Sequence, residues 1–195
     1  MIVAMVLAAG ESSRMNNPKA LLKIGKETFV QCIVRKLEEC GIDFVYIIAG
    51  PHHEAIKKEL HGVEVIYNDR YQQGQLSSLK EGLRNLPTGS SEAIVWPVDQ
   101  PLVNTETIHL LLDAYRKYKK RITIPEYESH RGHPVIYDRH AIYTLLTLNT
   151  VTQTAKDLQT IYEGEMHLVD VEDRAVLIDI DTPEDYRKYI TDAGL

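Results

Sequence analysis

The chain has 195 residues, of which 44% are hydrophobic and 26% charged, a composition typical of a globular protein that can bury a core. Its 22 basic and 28 acidic residues give a net charge of −6, which disfavours nucleic acid or an anionic membrane as the main partner. The apolar N-terminus lacks the basic region of a signal peptide, and no apolar run is long enough to span a membrane, so we expect a soluble, cytoplasmic protein.

Short apolar runs alternate with helical patterns through the first half of the chain. The runs predict strands at 2–7, 44–48, 63–67 and 93–98, and the helical patterns predict helices at 28–40, 53–60, 77–86 and 105–118. This order predicts an α/β protein with a single Rossmann-like three-layer domain, in which a mainly parallel sheet carries helices on both faces.

The second half is less regular. Strands are predicted at 122–125 and 134–137 around a polar loop, helices at 139–148 and 151–162, and one or two strands within 169–180. A final helix is expected after Thr182, because a Thr cap, a Pro at the first position and acids in the first turn are typical of a helix start.

Neither the cysteines nor a pair of adjacent histidines indicates a cross-link or a metal site. Cys32 and Cys40 lie about two turns apart on one predicted helix, too far for a disulfide, so reduced thiols are expected. His52 and His53 have no partner at a metal-ligand spacing and are predicted at a surface helix start.

The first strand leads into a loop rich in small residues, Leu7-Ala8-Ala9-Gly10-Glu11-Ser12-Ser13-Arg14-Met15-Asn16-Asn17-Pro18-Lys19. Its backbone amides can form a concave anion site, beside which Arg14 and Lys19 place two cations suited to a polyphosphate. The spacing fits neither a P-loop nor a dinucleotide fingerprint. From spacing alone, a strand-to-helix turn with two surface cations remains an alternative.

This loop resembles the L-A-A-G-x-S-x-R-M-G-x-P-K signature of the MobA-like nucleotidyltransferases, and more narrowly the branch of CTP:molybdopterin cytidylyltransferase. Asn16 stands where that family usually has glycine. The resemblance implies that the loop binds the phosphates of a nucleoside triphosphate through Leu7, Ala8, Ala9, Gly10, Ser12, Arg14 and Lys19.

A second match, Gly74-Gln75-Leu76-Ser77-Ser78-Leu79, is similar to the family's G-M-x-S-S-L segment near the base and ribose, with Gln75 in place of methionine. The resemblance implies that Ser77 and Ser78 bind nucleotide. Both serines are also suited to cap a helix, and the two roles can coexist at a helix N-terminus.

Two aspartates match family motifs. Asp99 lies in Val98-Asp99-Gln100-Pro101-Leu102, similar to the family's D-Q-P-L, and Asp181 lies in a stretch matching D-I-D-T-P-E-D. The resemblance implies that both hold Mg²⁺, which usually takes one or two carboxylates with phosphate oxygens and water. Each also has a structural interpretation, Asp99 as a turn residue and the 182–185 segment as a capping box.

The segment Arg131-Gly132-His133-Pro134-Val135 matches the family's R-G-H-P-V, which lies toward the acceptor, so Arg131 and His133 are predicted to bind it. A lone loop histidine is otherwise often incidental. Where the family carries G-D-x-G-A-R, this chain has the unrelated segment 149–157.

Together the resemblances imply a nucleotidyltransferase that moves CMP from CTP to the phosphate of molybdopterin, with Mg²⁺ as cofactor and Arg14, Lys19 and Asp99 as catalytic residues. Residues 1–103 would form the nucleotide-binding half and 104–195 the acceptor-binding half of one domain, 1–195. The alternatives are a sugar phosphate or another phosphorylated acceptor, or a non-catalytic factor that delivers the cofactor to a molybdenum hydroxylase. Such a hydroxylase is also the expected client of the enzyme.

Overall fold

A computed structural model describes residues 1–15, 17–87 and 90–195; Asn16, singled out above, lies outside them. Eight strands form one sheet in the order β10-β7-β9-β6-β1-β4-β5, with β8 paired to β7. The strands are β1 (Ile2–Ala8), β4 (Val45–Ala49), β5 (Glu64–Tyr67), β6 (Glu92–Pro97), β7 (Ile122–Tyr127), β8 (His130–Arg131), β9 (Val135–Asp138) and β10 (Met166–Asp170). A separate hairpin pairs β2 (Lys23–Ile24) with β3 (Glu27–Thr28).

Seven α-helices accompany the strands within the described ranges. They are α1 (Phe29–Glu39), α2 (His53–Glu59), α3 (Gln75–Arg84), α4 (Thr105–Tyr118), α5 (Arg139–Thr147), α6 (Asp157–Ile161) and α7 (Pro183–Tyr186), which continues as a π-helical turn over Arg187–Thr191. In the same ranges, no helix combines the length and the apolar character needed to cross a membrane.

The sheet has a buried core on each face, because neighbouring side chains of a strand point to opposite sides. Ala4 and Val6 of β1 pack with α1, α2 and α4 on one face. Val3 and Met5 pack with α3 and α5 on the other. The predicted three-layer, mainly parallel α/β fold is therefore confirmed, and both cysteines are buried free thiols.

The sheet contains antiparallel pairs in its second half. β9 runs antiparallel to both β6 and β7, whereas β10 is parallel to β7. The segment predicted as a polar loop over 126–133 is in part a hairpin. Glu128 and Ser129 adopt positive φ angles of 47° and 64°, typical of a tight two-residue turn, which lets β7 continue to Tyr127 and pair with β8.

The helix predicted over 151–162 was wrong in its first half, since α6 begins only at Asp157. Polar side chains there bond to the local backbone instead. The Val151 amide donates to Asn149 Oδ1 at 2.8 Å, and the Thr154 amide donates to Asp157 Oδ2 at 2.6 Å. Such bonds compete with helical hydrogen bonds and favour turns.

The strands predicted within 169–180 were also partly wrong. β10 lies earlier, at Met166–Asp170, and Arg174–Leu177 form a 3₁₀ helix. Asp173 starts this helix, because its carboxylate accepts the Ala175 amide at 3.0 Å. Asp179, which falls within the predicted strand region, and Asp181 therefore both lie outside any strand.

Gly132 is enclosed by the 3₁₀ segment, which makes it the site of a stability prediction. A Cβ at this position would lie 2.3 Å from the Val176 carbonyl oxygen and 2.7 Å from Val176 Cβ. We expect Gly132→Ala to destabilise the protein by about 1–3 kcal/mol, the usual cost of overpacking, and to lower Tm by several degrees. Calorimetry against Gly164→Ala, whose added Cβ meets nothing within 4 Å, provides the matched control. Equal Tm values for the two variants would contradict the close contact.

Candidate functional site

A cleft lies at the carboxyl ends of β1, β4 and β6. β1 is the strand from which the chain continues to β4 on one side and later to β6 on the other. In open α/β sheets, ligands bind at such a switch point. The cavity has a volume of about 340 Å³, and its walls include the loop after β1, His52 after β4 and Asp99 after β6.

The loop after β1 is held closed by its own hydrogen bonds. The Met15 amide donates to the Ser12 carbonyl oxygen at 2.8 Å, and the Lys19 amide donates to Ser12 Oγ at 3.0 Å. Ser12 has a positive φ of 54°, which is uncommon for a residue with a side chain. The Ser12 side chain therefore shapes the loop and brings Lys19 back toward the first strand.

Four charged side chains meet at the centre of the cleft. Lys19 Nζ lies 3.1 Å from Asp99 Oδ2 and also donates to Asp181 Oδ1. Arg14 Nη2 lies 2.9 Å from Asp181 Oδ2. The Lys19 side chain is only 15% exposed, whereas that of Arg14 is 65% exposed. The two acidic motifs, 82 residues apart in the sequence (181 − 99), thus share one cation.

The pKa shifts follow from this arrangement. Burial opposes charge on Lys19, but Asp99 and Asp181 outweigh it and raise the Lys19 pKa. Burial also raises the Asp99 pKa, against the effect of Lys19, and the negative charges of Asp179 and Asp181 add to the rise. The hydrogen bond from Lys19 lowers the Asp181 pKa. Asp99 is therefore a partly buried carboxylate that a further cation would stabilise.

Backbone and side-chain bonds fix the two aspartates relative to each other. The Ile180 amide donates to the Asp99 carbonyl oxygen at 2.8 Å, and Gln100 Nε2 donates to Asp179 Oδ1 at 2.7 Å. Thr182 and Asp185 form the predicted capping box, with the Asp185 amide donating to Thr182 Oγ1 at 3.1 Å. The helix start thus uses Thr182 and Asp185 and leaves the Asp181 carboxylate directed to Lys19.

The donor set fits a hard divalent cation. Two carboxylates converge on the single point that the Lys19 ammonium contacts, and oxygen ligands are those that Mg²⁺ prefers. Within the described ranges, no group of three or more His, Cys, Asp or Glu side chains could hold a metal ion. Asp99 and Asp181 would therefore share the ion with phosphate oxygens and water.

Most residues predicted from the sequence to bind nucleotide do line this cleft: Leu7, Ala8, Ala9, Gly10, Ser12, Arg14, Lys19, Ser78 and Asp99. Asp181, predicted as a metal ligand together with Asp99, lines it too. Ser77 does not line it. Its hydroxyl contacts the carbonyl oxygens of Arg70 at 2.8 Å and Gly74 at 2.9 Å. Asn68 Nδ2 donates to the hydroxyls of both Ser77 and Ser78 at 3.0 Å, so this serine pair is fixed to β5.

Neither predicted acceptor residue lines the cleft. His133 is partly buried, and burial lowers its pKa, whereas the Asp99 charge opposes that shift and Lys156, in the atypical 149–157 segment, adds to it. Arg131 does not line the cleft and instead donates to Gln159 Oε1 at 3.0 Å.

Sequence reasoning missed several residues that form the cleft walls. His52 was expected at the surface; it directly precedes α2 and also lines the cleft, with Nε2 3.3 Å from the Glu11 carbonyl oxygen. Tyr71 and Ile56 complete the wall near Gln75. No sequence signal marks Tyr71 or Ile56. His52 could have been predicted, because it follows the end of a strand, where ligands bind in α/β sheets.

The architecture is that of an α/β protein with a charged cleft at the switch point of its sheet. Residues 4–169 match the MobA-like NTP transferase domain, and the chain belongs to this family. The resemblance of its motifs to this family, at the level of the family as a whole, is thereby confirmed.

Three similar proteins illustrate the family and the fold. Over 113 residues, 56% of this chain, the sequence is 30% identical to the bifunctional protein GlmU of Francisella tularensis subsp. novicida, and the match spans 24% of the length of that relative. Rv0371c of Mycobacterium tuberculosis H37Rv has a TM-score of 0.83 at 24% identity, with 97% of each chain covered. Another structure of Rv0371c, in complex with manganese, has a TM-score of 0.76 at 23% identity, covering 97% of this chain and 98% of that chain.

The third similar protein, after GlmU and Rv0371c, is a nucleotidyl transferase of Methanothermobacter thermautotroptrophicus. Its structure has a TM-score of 0.82 at 21% identity, covering 98% of this chain and 97% of that chain. At these identities the solved structures show a shared fold.

Proposed function

We propose that this protein is a cytidylyltransferase that transfers CMP from CTP to the phosphate of molybdopterin and releases pyrophosphate. The observation that carries the proposal is the cluster of Lys19, Asp99 and Asp181 beneath the loop after β1. It combines a cation for phosphates and two carboxylates for a metal ion within one cleft. Family membership supports the same reaction class.

Lys19 and Arg14 bind the triphosphate in this proposal. Both cations pair with carboxylates in the structure, and both line the cleft wall formed by the loop. A triphosphate entering the cleft offers them oxygen partners of higher charge than a carboxylate. Arg14 is the more exposed and contacts the incoming phosphates first, whereas Lys19 holds them over Asp99.

Asp99 and Asp181 would hold Mg²⁺ together with phosphate oxygens. A bound ion would supply neutralisation of the charge that develops on the transferred phosphoryl group and on pyrophosphate. The manganese complex of the similar M. tuberculosis protein is consistent with a divalent ion in this fold. The residues of this chain otherwise act by positioning and electrostatic stabilisation, the main terms expected in phosphoryl transfer.

The acceptor is proposed to bind beside His133, in the half formed by residues 104–195, while residues 1–103 bind the nucleotide. The charges of both Asp99 and Lys156 act on the His133 pKa, which supports placing the acceptor beside these residues. A phosphate monoester has its second pKa near 6 and is largely ionised at neutral pH. No residue therefore has to remove a proton from the nucleophile, and His133 and Arg131 serve to bind and orient the acceptor.

CTP is proposed as the donor because of Ala9. The GTP-using branch of the family has glycine at this position by resemblance, whereas Ala9 here is buried and, like Tyr71, lines the cleft. A molybdenum hydroxylase would then receive the finished cofactor.

One observation favours a different acceptor within the same chemistry. The 149–157 segment is closed by its own turns, with the Asn149 amide donating to Gln153 Oε1 at 2.8 Å, and it lacks the glycine and arginine of the family stretch. A sugar phosphate or another phosphorylated alcohol is therefore the second candidate acceptor.

The proposal is tested by titrating the protein calorimetrically with CTP, GTP, ATP and UTP in Mg²⁺. We expect CTP to bind most tightly and its affinity to fall when the metal is chelated. A pyrophosphate-release assay with molybdopterin, and in parallel with sugar phosphates, then identifies the acceptor. Absence of triphosphate binding in the presence of every acceptor would contradict the proposed enzyme and favour a cofactor-delivery role.

A further inference from the structure

A second cavity lies on the other side of α3 from the nucleotide cleft. It has a volume of about 290 Å³ and shares no lining residue with the cleft. Its walls are the 68–77 segment, the outer face of α3 and the chain that follows α5. The lining residues central to the argument are Arg70, Ser77, Lys80, Glu81, Arg84 and Thr150.

The charge of this cavity is opposite to that of the whole protein. Arg70, Lys80 and Arg84 contribute three positive charges, and Glu81 contributes one negative charge. The local balance is therefore +2 (3 − 1) in a chain whose net charge is −6. Such a concave positive region focuses potential and concentrates small anions.

The cations are only weakly neutralised by their neighbours. Arg84 Nη1 lies 3.5 Å from Glu81 Oε2, and Glu81 also accepts a hydrogen bond from Asn85. Arg70 Nε lies 3.9 Å from Asp69 Oδ1, at the limit of an ion pair. Both guanidinium groups are at least half exposed, so they can turn toward a ligand in the cavity.

Lys80 is the buried member of the set. The residue is only 7% exposed, and its ammonium donates to the Leu148 carbonyl oxygen at 2.6 Å. No carboxylate pairs with Lys80 in the part of the chain that the structure describes, and burial together with Arg84 lowers its pKa. An ammonium has three donors, and a buried charge without a counter-charge is unfavourable.

We propose that this cavity is a binding site for a phosphate group, held by Lys80 at its base and by Arg70 and Arg84 at its rim. Arginine forks and a lysine ammonium together suit a tetrahedral oxyanion with two negative charges. Thr150 adds a neutral hydroxyl at the wall. The ligand class is inorganic phosphate or a small phosphorylated metabolite, distinct from the nucleotide in the cleft.

The site is connected to the cleft through one amide. Asn68 Nδ2 donates to Ser77, which lines the phosphate cavity, and to Ser78, which lines the cleft. Thr150 also donates to Gln73 Oε1 at 3.1 Å and so joins the 149–157 segment to the residues preceding α3. A bound phosphate would therefore cross-link Lys80, α3 and this segment.

The test is thermal unfolding in sodium phosphate against sodium chloride at equal ionic strength, with both metal and nucleotide absent. At ten times Kd, phosphate should raise Tm of the wild-type protein by about 3–6 °C. Lys80→Gln and Arg84→Gln should each remove most of this increase. Glycerol 3-phosphate, titrated in parallel, distinguishes inorganic phosphate from a phosphorylated metabolite. An increase in Tm equal to that in phosphate shows that the free anion is sufficient, and a larger increase in Tm identifies a phosphoester as the ligand.

Two controls separate the site from other causes. Arg116→Gln removes a comparable guanidinium, paired with Asp113 at 3.2 Å on α4, and should keep the full phosphate effect. Arg14→Gln removes a cleft cation and should also keep it. The proposal is overturned if Arg84→Gln retains the phosphate-induced increase in Tm, or if Arg14→Gln is the only variant that loses it. It is also overturned if Lys80→Gln lowers Tm by the same amount in phosphate and in chloride, because Lys80 would then only stabilise the fold through the Leu148 carbonyl oxygen.

Discussion

Replacing Lys19 by methionine will lower kcat/KM for nucleotidyl transfer by about 10²- to 10³-fold, the usual loss when one preorganised charge-stabilising donor is removed. The ammonium lies between Asp99 and Asp181, at the position from which it can reach both the phosphates and the carboxylates. Methionine preserves the length and apolar stem of the side chain, so the loop around Ser12 should keep its shape.

The same substitution should strengthen metal binding to the nucleotide-free protein. Lys19 contacts the point where the two carboxylates converge, so it competes with a divalent ion for them. Without the Lys19 ammonium, the affinity for Mn²⁺ should rise by about tenfold. The free energy of a tenfold change is a small part of the ~4 kcal/mol Coulomb energy between unit charges 4 Å apart at an effective dielectric constant of 20. In the wild-type protein, metal and nucleotide are therefore expected to bind best together.

Electron paramagnetic resonance of free Mn²⁺ measures this affinity without any assay of turnover. Lys26→Met, which removes an exposed lysine in the β2–β3 hairpin, is the matched control and should change neither kcat/KM nor the affinity for Mn²⁺. If Lys19→Met left Mn²⁺ affinity unchanged while activity fell, the lysine would bind phosphate but the carboxylate pair would not hold the ion. If activity were also unchanged, the proposed cleft chemistry would be wrong.

A second large effect is expected from Asp181→Ala, which should reduce metal-dependent turnover by about 10²-fold or more while changing stability little. Its carboxylate is about one-third exposed, and partly exposed ion pairs contribute at most about 1 kcal/mol. The loss is catalytic because Asp181 is one of the two carboxylates available to a metal ion at Lys19.

Asp185→Ala is the matched comparison, four residues further along the same motif. Asp185 Oδ2 accepts from the Thr182 amide at 2.9 Å and from the Thr182 hydroxyl at 2.7 Å. Its loss should cost about 1 kcal/mol of folding free energy, as for other helix caps, and leave turnover nearly intact. Denaturant unfolding and steady-state rates, measured on both variants, should show opposite patterns. A fully active Asp181→Ala protein would exclude it as a metal ligand.

Much of the fold could be predicted because hydrophobic periodicity is a local signal. The strand predicted at 2–7 and the helix predicted at 105–118 are close to β1 (Ile2–Ala8) and α4 (Thr105–Tyr118). The errors lie where short polar side chains redirect the backbone, as Asn149 and Asp173 do. Such hydrogen bonds depend on local geometry that apolar periodicity does not report.

The sequence alone determined the alternation of elements, the motif proposed to bind phosphate and the identity of the two acidic motifs, because each consists of consecutive residues. Only the tertiary structure decided that Lys19 lies between Asp99 and Asp181, that Ser77 faces away from the cleft, and that Arg131 binds Gln159.

The reason is physical. Side chains far apart in sequence meet only where strand ends converge and where helix faces turn toward or away from the sheet. The positive cavity at Lys80 is a further case, because its three cations lie within residues 70–84 but face Leu148, Asn149 and Thr150 from much later in the chain. The sequence pattern around the cations is that of an ordinary solvated face.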